Sequence, residues 1–484
     1  MTTTSSSTED RAARRLNRKN SPDRLSAGTT LAWTSTGLSG AVNYIVLGFW
    51  VFYGTDVLGL NPALLGTLAL LSKALEAVAV MGAGWLVDRS PETRWGKARP
   101  YELAIIGVWA STWLLFSTPD LGDVGKAVWL FVSLVLANVI FTTLLSANDY
   151  LYLARAFRGR VLIAKVSTRT GFFTVLGVVA INAVLPILVA QAGASASAWS
   201  TMILFIAIPL TIIGLARFVF CREKYQTEAA DTPKLTFRDI REALTSNRYI
   251  WIVAGVSFVS TLAGGTGIAI YYFKYVVGDV ALMSISAIVP LLILPAMLFF
   301  PRLVKRFGVS KIIGFGAYAG VLGGMVMIFA NGNLALVFIS TVLSGIGVLP
   351  ITFLVPLLII DNASYNQWSG RRRLESTMGA VNNFFMRLGG GLGVALTGWV
   401  LAFAGYNGSL KEQPDAAIGA IVFLAGALPA ALWLGVALAM RSYRKFETML
   451  PTITQELAVI LADDPAITTP KVEDEDRVPT DRKH

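Results

Sequence analysis

Cysteine and histidine are nearly missing: the 484 residues hold one of each, Cys221 and the final residue His484. A lone thiol closes no internal disulfide, and the two residues cannot build a Cys/His metal site, a histidine proton relay or a histidine-based catalytic centre. Charge is scarce too, at 15% of the chain against about 25% for soluble domains. With 54% hydrophobic residues, that balance points into a membrane rather than into water. Any proton or cation chemistry inside must then use carboxylates. No nucleophile–base pair or metal-ligand cluster stands out, so a membrane enzyme is a weak reading and no cofactor or metal is expected. The net charge of +11 implies no nucleic-acid partner, because Lys and Arg collect in the cytoplasmic loops of membrane proteins for topological reasons.

Apolar runs are plentiful, near the length of about 20 residues that crosses about 30 Å of hydrocarbon. Six fall at about 29–54, 62–87, 101–118, 126–152, 168–192 and 197–220, and six at about 249–273, 282–301, 309–330, 333–360, 376–404 and 416–440. The expected fold class is an all-α membrane protein with 12 transmembrane helices in two six-helix halves. Residues 1–27 read as a disordered cytoplasmic tail rather than a signal peptide, 28–221 as the N-terminal bundle and 222–248 as a charged central loop. Residues 249–441 form the C-terminal bundle and 442–484 a second cytoplasmic tail. The connections test the count independently. Basic residues crowd the loops after segments two (Arg89, Arg94, Lys97, Arg99), four (Arg155, Arg158, Arg160), eight (Arg302, Lys305, Arg306) and ten (Arg371, Arg372, Arg373), whereas those after one, five and nine have none. Positive charge stays inside. Both termini are therefore expected in the cytoplasm of a multi-pass plasma-membrane protein, with membrane lipids around it.

Ionisable side chains at membrane depth are costly and mark function by default. Segment two has Lys73 and Glu76, three apart and so on one helical face. Segment four carries Asn148 and Asp149, segment five opens with Arg169, and segment eleven holds Asn382, Asn383 and Arg387. These groups could converge on a polar cavity between the halves, or form a structural ion-pair network. Tyr44, Tyr152 and Trp399 offer rings for stacking, with packing as the plainer reading of each. Gly316, Gly320 and Gly324, and Gly389 with Gly393, have the spacing that lets helices approach closely in lipid.

The loop after segment two reads Asp88-Arg89-Ser90-Pro91-Glu92-Thr93-Arg94-Trp95-Gly96-Lys97-Ala98-Arg99-Pro100-Tyr101. Three further stretches accompany it: Thr55-Asp56-Val57-Leu58-Gly59-Leu60, the run from Ile270 to Asp279, and Phe299 to Lys305. A fourth runs from Asp361 through Tyr365, Arg373, Glu375 and Ser376 to Gly389 and Gly390. Together they resemble the glycoside-pentoside-hexuronide:cation symporters, the melibiose permease-like branch of the major facilitator superfamily, over roughly residues 30–440. The resemblance implies a cation site with acids on segments one, two and four. Glu76 falls on one segment-two acid, but the other falls on Val80 and the segment-one acid on Gly40. Asp149, or Asn148, falls on the segment-four acid, Arg387 on a segment-eleven lysine and Arg169 on a sugar-binding arginine. A sodium ion prefers several oxygen ligands whereas a proton needs one carboxyl, so this depleted set leans toward H+ over Na+, or toward uncoupled transport.

These residues lead to a sugar or glycoside symporter working by alternating access. Glu76 and Asp149 would bind the coupling ion, H+ or Na+, and Asn148, Asp149, Arg169, Asn383 and Arg387 the solute. Lys73, Asp88, Arg89, Arg94, Arg99, Asp361, Arg373 and Glu375 would form a charged cytoplasmic latch, though topology alone also calls for cations there. An exporter or translocator of amphipathic molecules or lipids on the same fold is the alternative, since fold does not set substrate. Arg387 should find an anion, Asp149 or Glu76, with Asp149 expected as its partner across the halves.

Overall fold

The computed structural model describes residues 27–157, 160–224, 247–289, 300–371 and 374–462, with the single positions 241, 245 and 292. Residues 1–26, most of the expected central loop and 463–484 lie outside the described residues. The first half comprises α1 (Ala27–Leu47), α2 (Pro62–Arg89), α3 (Ala104–Leu115), α4 (Gly122–Leu134), α5 (Thr143–Ala156), α6 (Arg160–Ala192) and α7 (Ala196–Phe220). The second comprises α8 (Arg248–Gly264), α9 (Ala269–Tyr272), α10 (Phe300–Phe307), α11 (Val309–Ala330), α12 (Leu334–Trp368), α13 (Glu375–Phe403), α14 (Asp415–Val422) and α15 (Leu428–Glu447), followed by α16 (Leu450–Ala462).

Among the described residues, ten helical stretches are long and apolar enough to cross a membrane. The other two expected segments are shorter or interrupted. A 3-10 turn, Arg99–Leu103, precedes α3, and together they reach about 28 Å at standard rises. The eighth segment falls on a 3-10 helix, Val280–Ile288, and α10, with most residues between them outside the described set. Residues assigned to a tail from 442 onward are helical as far as Ala462: Ile453 and Leu457, one turn apart, bury themselves in the second-half core.

Hydrophobic cores show how the halves meet. One core joins both, packing Trp50, Tyr53, Leu65 and Trp199 of the first half with Tyr271, Tyr272, Leu401 and Ile421 of the second. At the opposite end each half keeps its own: Trp33, Tyr152, Phe157 and Cys221 in one, Tyr249, Leu354, Trp433 and Phe446 in the other. The principal seam runs between α2 and α13, where small residues let the backbones touch. A Cβ at Gly398 would lie 2.2 Å from the Pro62 carbonyl oxygen, and one at Gly66 would lie 2.9 Å from that of Ala395. Farther along, Gly391 packs on Lys73. Close approach of this kind substitutes for the hydrophobic driving force that lipid removes.

Each half closes its basic end with the same device, a carboxylate at or just past the end of its last long helix seated on backbone N–H groups. Past α7, Glu223 accepts from Lys97 N (3.2 Å), Ala98 N (2.7 Å) and Arg99 N (2.8 Å), and Arg155 Nη1 of α5 donates to it at 3.0 Å. In α15, Glu447 accepts from Val309 N (2.5 Å) and Ser310 N (3.2 Å) at the start of α11. Orphan N–H groups at a helix start favour an anion. A glycine stands against each carboxylate, Gly96 at φ +104° and Gly308 at φ +82°, where a side chain would both strain the backbone and strike the acid. Burial pushes the Glu223 carboxyl up, but hydrogen bonds from Arg99 N–H, the Arg155 side chain and the Lys97 and Ala98 N–H groups outweigh it and hold the group below its usual range. A lowered folded-state pKa stabilises above the unfolded value of about 4.3 and loses that contribution as pH falls through the folded value. Glu223→Gln should therefore lower the detergent Tm by several degrees at pH 7, with the gap to wild type closing below about pH 4 in a thermal-shift series.

Candidate functional site

Buried carboxylates organise the charged interior. Glu76 of α2 has 5% side-chain exposure and accepts from Lys73 Nζ, one turn away, at 2.7 Å. Arg387 Nη1 of α13 donates to its other oxygen, so the pair crosses the seam between the halves. Of the two acids offered to Arg387 by the sequence, it takes Glu76. Tyr44 of α1 is exposed.

Asp149 instead belongs to the first half's own network. Arg217 Nη1 of α7 bonds it at 2.6 Å, and Arg217 Nε sits 3.5 Å from Glu102. Glu102 is fully buried at the start of segment three, accepting from Thr36 Oγ1 (2.9 Å) and Asn148 Nδ2 (3.1 Å). The guanidinium also stacks 4.0 Å over Trp33 and 4.9 Å over Tyr152. This arrangement corrects the expected Arg387–Asp149 pair: a nearer cation on α7 already neutralises Asp149. Asn148, expected in the solute set, is buried in this conformation with its amide nitrogen on Glu102. Asp149 keeps half its side chain exposed, Arg169 is exposed and donates to Thr30 Oγ1 at 3.0 Å, and Asn383 is exposed on α13. Tyr152 is buried with its hydroxyl on Cys221 O, so it packs rather than stacks on a ligand, while Trp399 donates to Thr67 Oγ1 across the seam.

A second cross-half cluster seals the end where the shared core lies. Segments one and seven each finish in a π-helical turn, Tyr53–Val57 and Phe273–Val277, a feature that often marks functional positions. Asp56 in the first accepts from Lys274 Nζ (2.5 Å), Tyr275 OH (2.7 Å) and Tyr406 OH (2.7 Å), all from the second half, and from Thr55 Oγ1 (2.6 Å). Its side chain is 2% exposed. The charge-site reading of the sequence passed over Asp56, Lys274, Glu102 and Arg217. The signal was present, since all four are charged residues within or at the edge of apolar segments and Asp56 and Lys274 stand inside quoted family stretches.

The basic loop expected as a latch is held within the first half. Arg99 Nε donates to Phe218 O (2.6 Å) and its Nη2 to Val219 O (3.2 Å), Arg94 lies 4.5 Å over Trp95, and Arg155 bridges Glu92 and Glu223. Asp361 of α12 makes no ion pair among the described residues. Arg373 lies outside the described residues, as do the side chains of Asp88, Arg89 and Glu375.

With this geometry in place, the sequence profile described as MFS/sugar transport protein matches residues 35–444. The chain belongs to that family. It is thus a membrane transporter and not an enzyme. It is 26% identical over 386 residues to the isoprimeverose transporter of Lactiplantibacillus pentosus, covering 77% of this chain and 79% of that one. It is 24% identical over 446 residues to the putative glycoside/cation symporter YagG of Escherichia coli (strain K12), covering 89% and 94%. Among solved structures, the nucleoside transporter NupG superimposes with a TM-score of 0.56 at 15% identity, covering 86% and 99%, which establishes the major facilitator fold.

Removing one partner of a fully buried ion pair costs about 3–5 kcal/mol, and the Asp56–Lys274 pair, with Lys274 34% exposed, falls below that ceiling. Asp56→Asn and Lys274→Met should each lower the detergent Tm strongly, and the double variant should recover part of the loss. Additive losses in that double-mutant cycle would remove the clamp role from the pair.

Proposed function

We propose that the protein is a secondary active symporter importing a sugar or glycoside with a coupling cation, by alternating access, across the plasma membrane. The observation that carries this reading is the Glu76–Arg387 pair. It places the one mid-membrane acid of segment two on the seam that must open and close, so its charge state bears on contact between the halves. Two relatives, an isoprimeverose transporter and a putative glycoside/cation symporter, support the solute class and the coupling.

The coupling site in this reading is Glu76, and its ion is a proton. Lys73 and Arg387 already occupy the Glu76 oxygens, which leaves no cage of free oxygens for a hard alkali ion. Asp149, Arg169, Asn383 and Arg387 present polar groups for solute hydroxyls or a carboxylate. Twelve helices span the membrane with both termini in the cytoplasm, because the basic loops crowd one side. The shared core and the Asp56 cluster then lie at the outer face, and the conformation described is closed outside and parted toward the cytoplasm.

Two measurements test this reading. Right-side-out vesicles should accumulate a labelled glycoside when a proton gradient is imposed. Glu76→Gln should abolish accumulation against the gradient while sparing some downhill exchange; undiminished accumulation rules Glu76 out as the coupling site. Tags placed next to Arg94 and at both ends should be protected from an impermeant label in the same vesicles, and labelling from outside would overturn the topology.

A further inference from the structure

Segments one and seven are both interrupted, at matching places. α1 stops at Leu47, Gly48 and Phe49 form a turn, and the helix resumes at Trp50; α8 stops at Gly264 and the helix resumes at Ala269. Each resumed piece runs on into its π-helical turn. The two pieces meet across the seal, Phe52 against Tyr271 at 5.6 Å between ring centroids. Four residues before each ring, about one turn away, stands an exposed glycine: Gly48 before Phe52 and Gly267 before Tyr271. Gly267 takes φ +62°, and a Cβ there or on the exposed Gly264 would meet nothing within 4 Å. The breaks therefore border one open space next to the seal. Gly265 ties that space to the charged seam, since a Cβ on it would lie 2.9 Å from the Gly390 carbonyl oxygen, and the next residue, Gly391, packs on Lys73.

These breaks leave hydrogen-bonding groups uncovered. Among the described residues, no main-chain N–H outside the helices reaches the carbonyls of Gly48, Leu262, Ala263 or Gly264. Thr266, inside the second break, keeps 6% exposure, and its hydroxyl makes no hydrogen bond among the described residues. Irregular backbone at membrane depth is tolerated only where protein buries it or where it lines a water-filled cavity, because lipid offers it no partner. The exposed glycines select the cavity. Interrupted segments at corresponding places in two repeats also mark where transporters hold what they carry. Carbonyls accept and cannot donate, and the C-termini of α1 and α8 carry partial negative charge, so this end of the cavity calls for donors.

We infer that the two breaks form a solute subsite apart from the charged seam, in which the carbonyls of Gly48 and Leu262 to Gly264 and the Thr266 hydroxyl take hydroxyl groups of the solute. Recognition here is by main chain, which is why the glycines stand where a side chain would cover it. The sugar class rests on the transport reading above; the opening of the breaks to water and their demand for donors rest on the geometry alone.

Two measurements on the full chain test this. In a Cys221→Ala background, Gly48→Cys and Gly264→Cys should react with a charged methanethiosulfonate about tenfold faster than Phe205→Cys, at an exposed apolar position on α7, and sodium in place of choline should not slow them. In proteoliposomes, Thr266→Val should raise the KM for methyl β-D-glucoside about three- to tenfold at unchanged Tm, as the loss of one neutral hydrogen bond predicts. Thr266→Ser should restore it, and Gly264→Ala, which adds a methyl in open space, should raise it likewise. Equal labelling at all three positions overturns the inference, as does labelling blocked by sodium alone, which makes the carbonyls a cation site. A KM unchanged in both Thr266→Val and Gly264→Ala also overturns it and leaves the transport reading standing. Absence of glucoside binding and uptake by folded wild-type protein overturns the transport reading, and the sugar class of the subsite with it.

Discussion

A carboxylate removed from water inside a membrane protein must be given a cation or a set of donors, and the architecture of this transporter follows from where those partners come from. An uncompensated charge at membrane depth costs at least about 2.5–3.5 kcal/mol. Glu102 is satisfied by Arg217, Thr36 and Asn148 within its own half, and this binds four segments of that half into a unit. Asp56 draws its cation, Lys274, from the opposite half, and Glu76 shares itself between Lys73 of its own helix and Arg387 of the opposite half. The first kind of pair makes a half rigid. The second makes the two halves interdependent.

Small residues make the second kind of pair possible. Gly66, Gly391 and Gly398 bring α2 and α13 close enough for Arg387 to reach Glu76. The carboxylate caps at the basic end serve the opposite purpose, since Glu223 and Glu447 each tie the last helix of a half to the start of its third. The repetition of that cap in both halves, with a positive-φ glycine against each acid, fits two bodies that move as wholes about a central seam. Separate cores at the basic end and a shared core at the other mean that parting there costs little buried apolar area.

The same logic explains why the basic loop does not bridge the halves here. Arg99 and Arg155 spend their donors on the Phe218 and Val219 carbonyls and on Glu92 and Glu223, all in the first half. Their contacts fasten the ends of segments two, four and six together.

The apolar helical segments that the structure describes, and their order, were legible in the sequence, because hydropathy acts locally along the chain and needs no partner to be read. Lys73 with Glu76 was legible for the same reason, since a spacing of three on a helix sets neighbours. The family stretches carried the fold and the transporter class as well. What the sequence could not determine was which charge meets which. Arg387 lies 311 residues from Glu76, and Asp149 was its expected partner on paper, whereas in the fold Arg217 of α7 takes that acid. Asp56 and Lys274, 218 residues apart, each sit at the end of an apolar segment where a lone charge passes for a loop residue, and only the π-helical turns and the joining of the halves bring them together. Pairing across a membrane bundle depends on helix rotation and on backbone separation to within an ångström. Those quantities are set by packing over the whole fold, and no single stretch of sequence contains them.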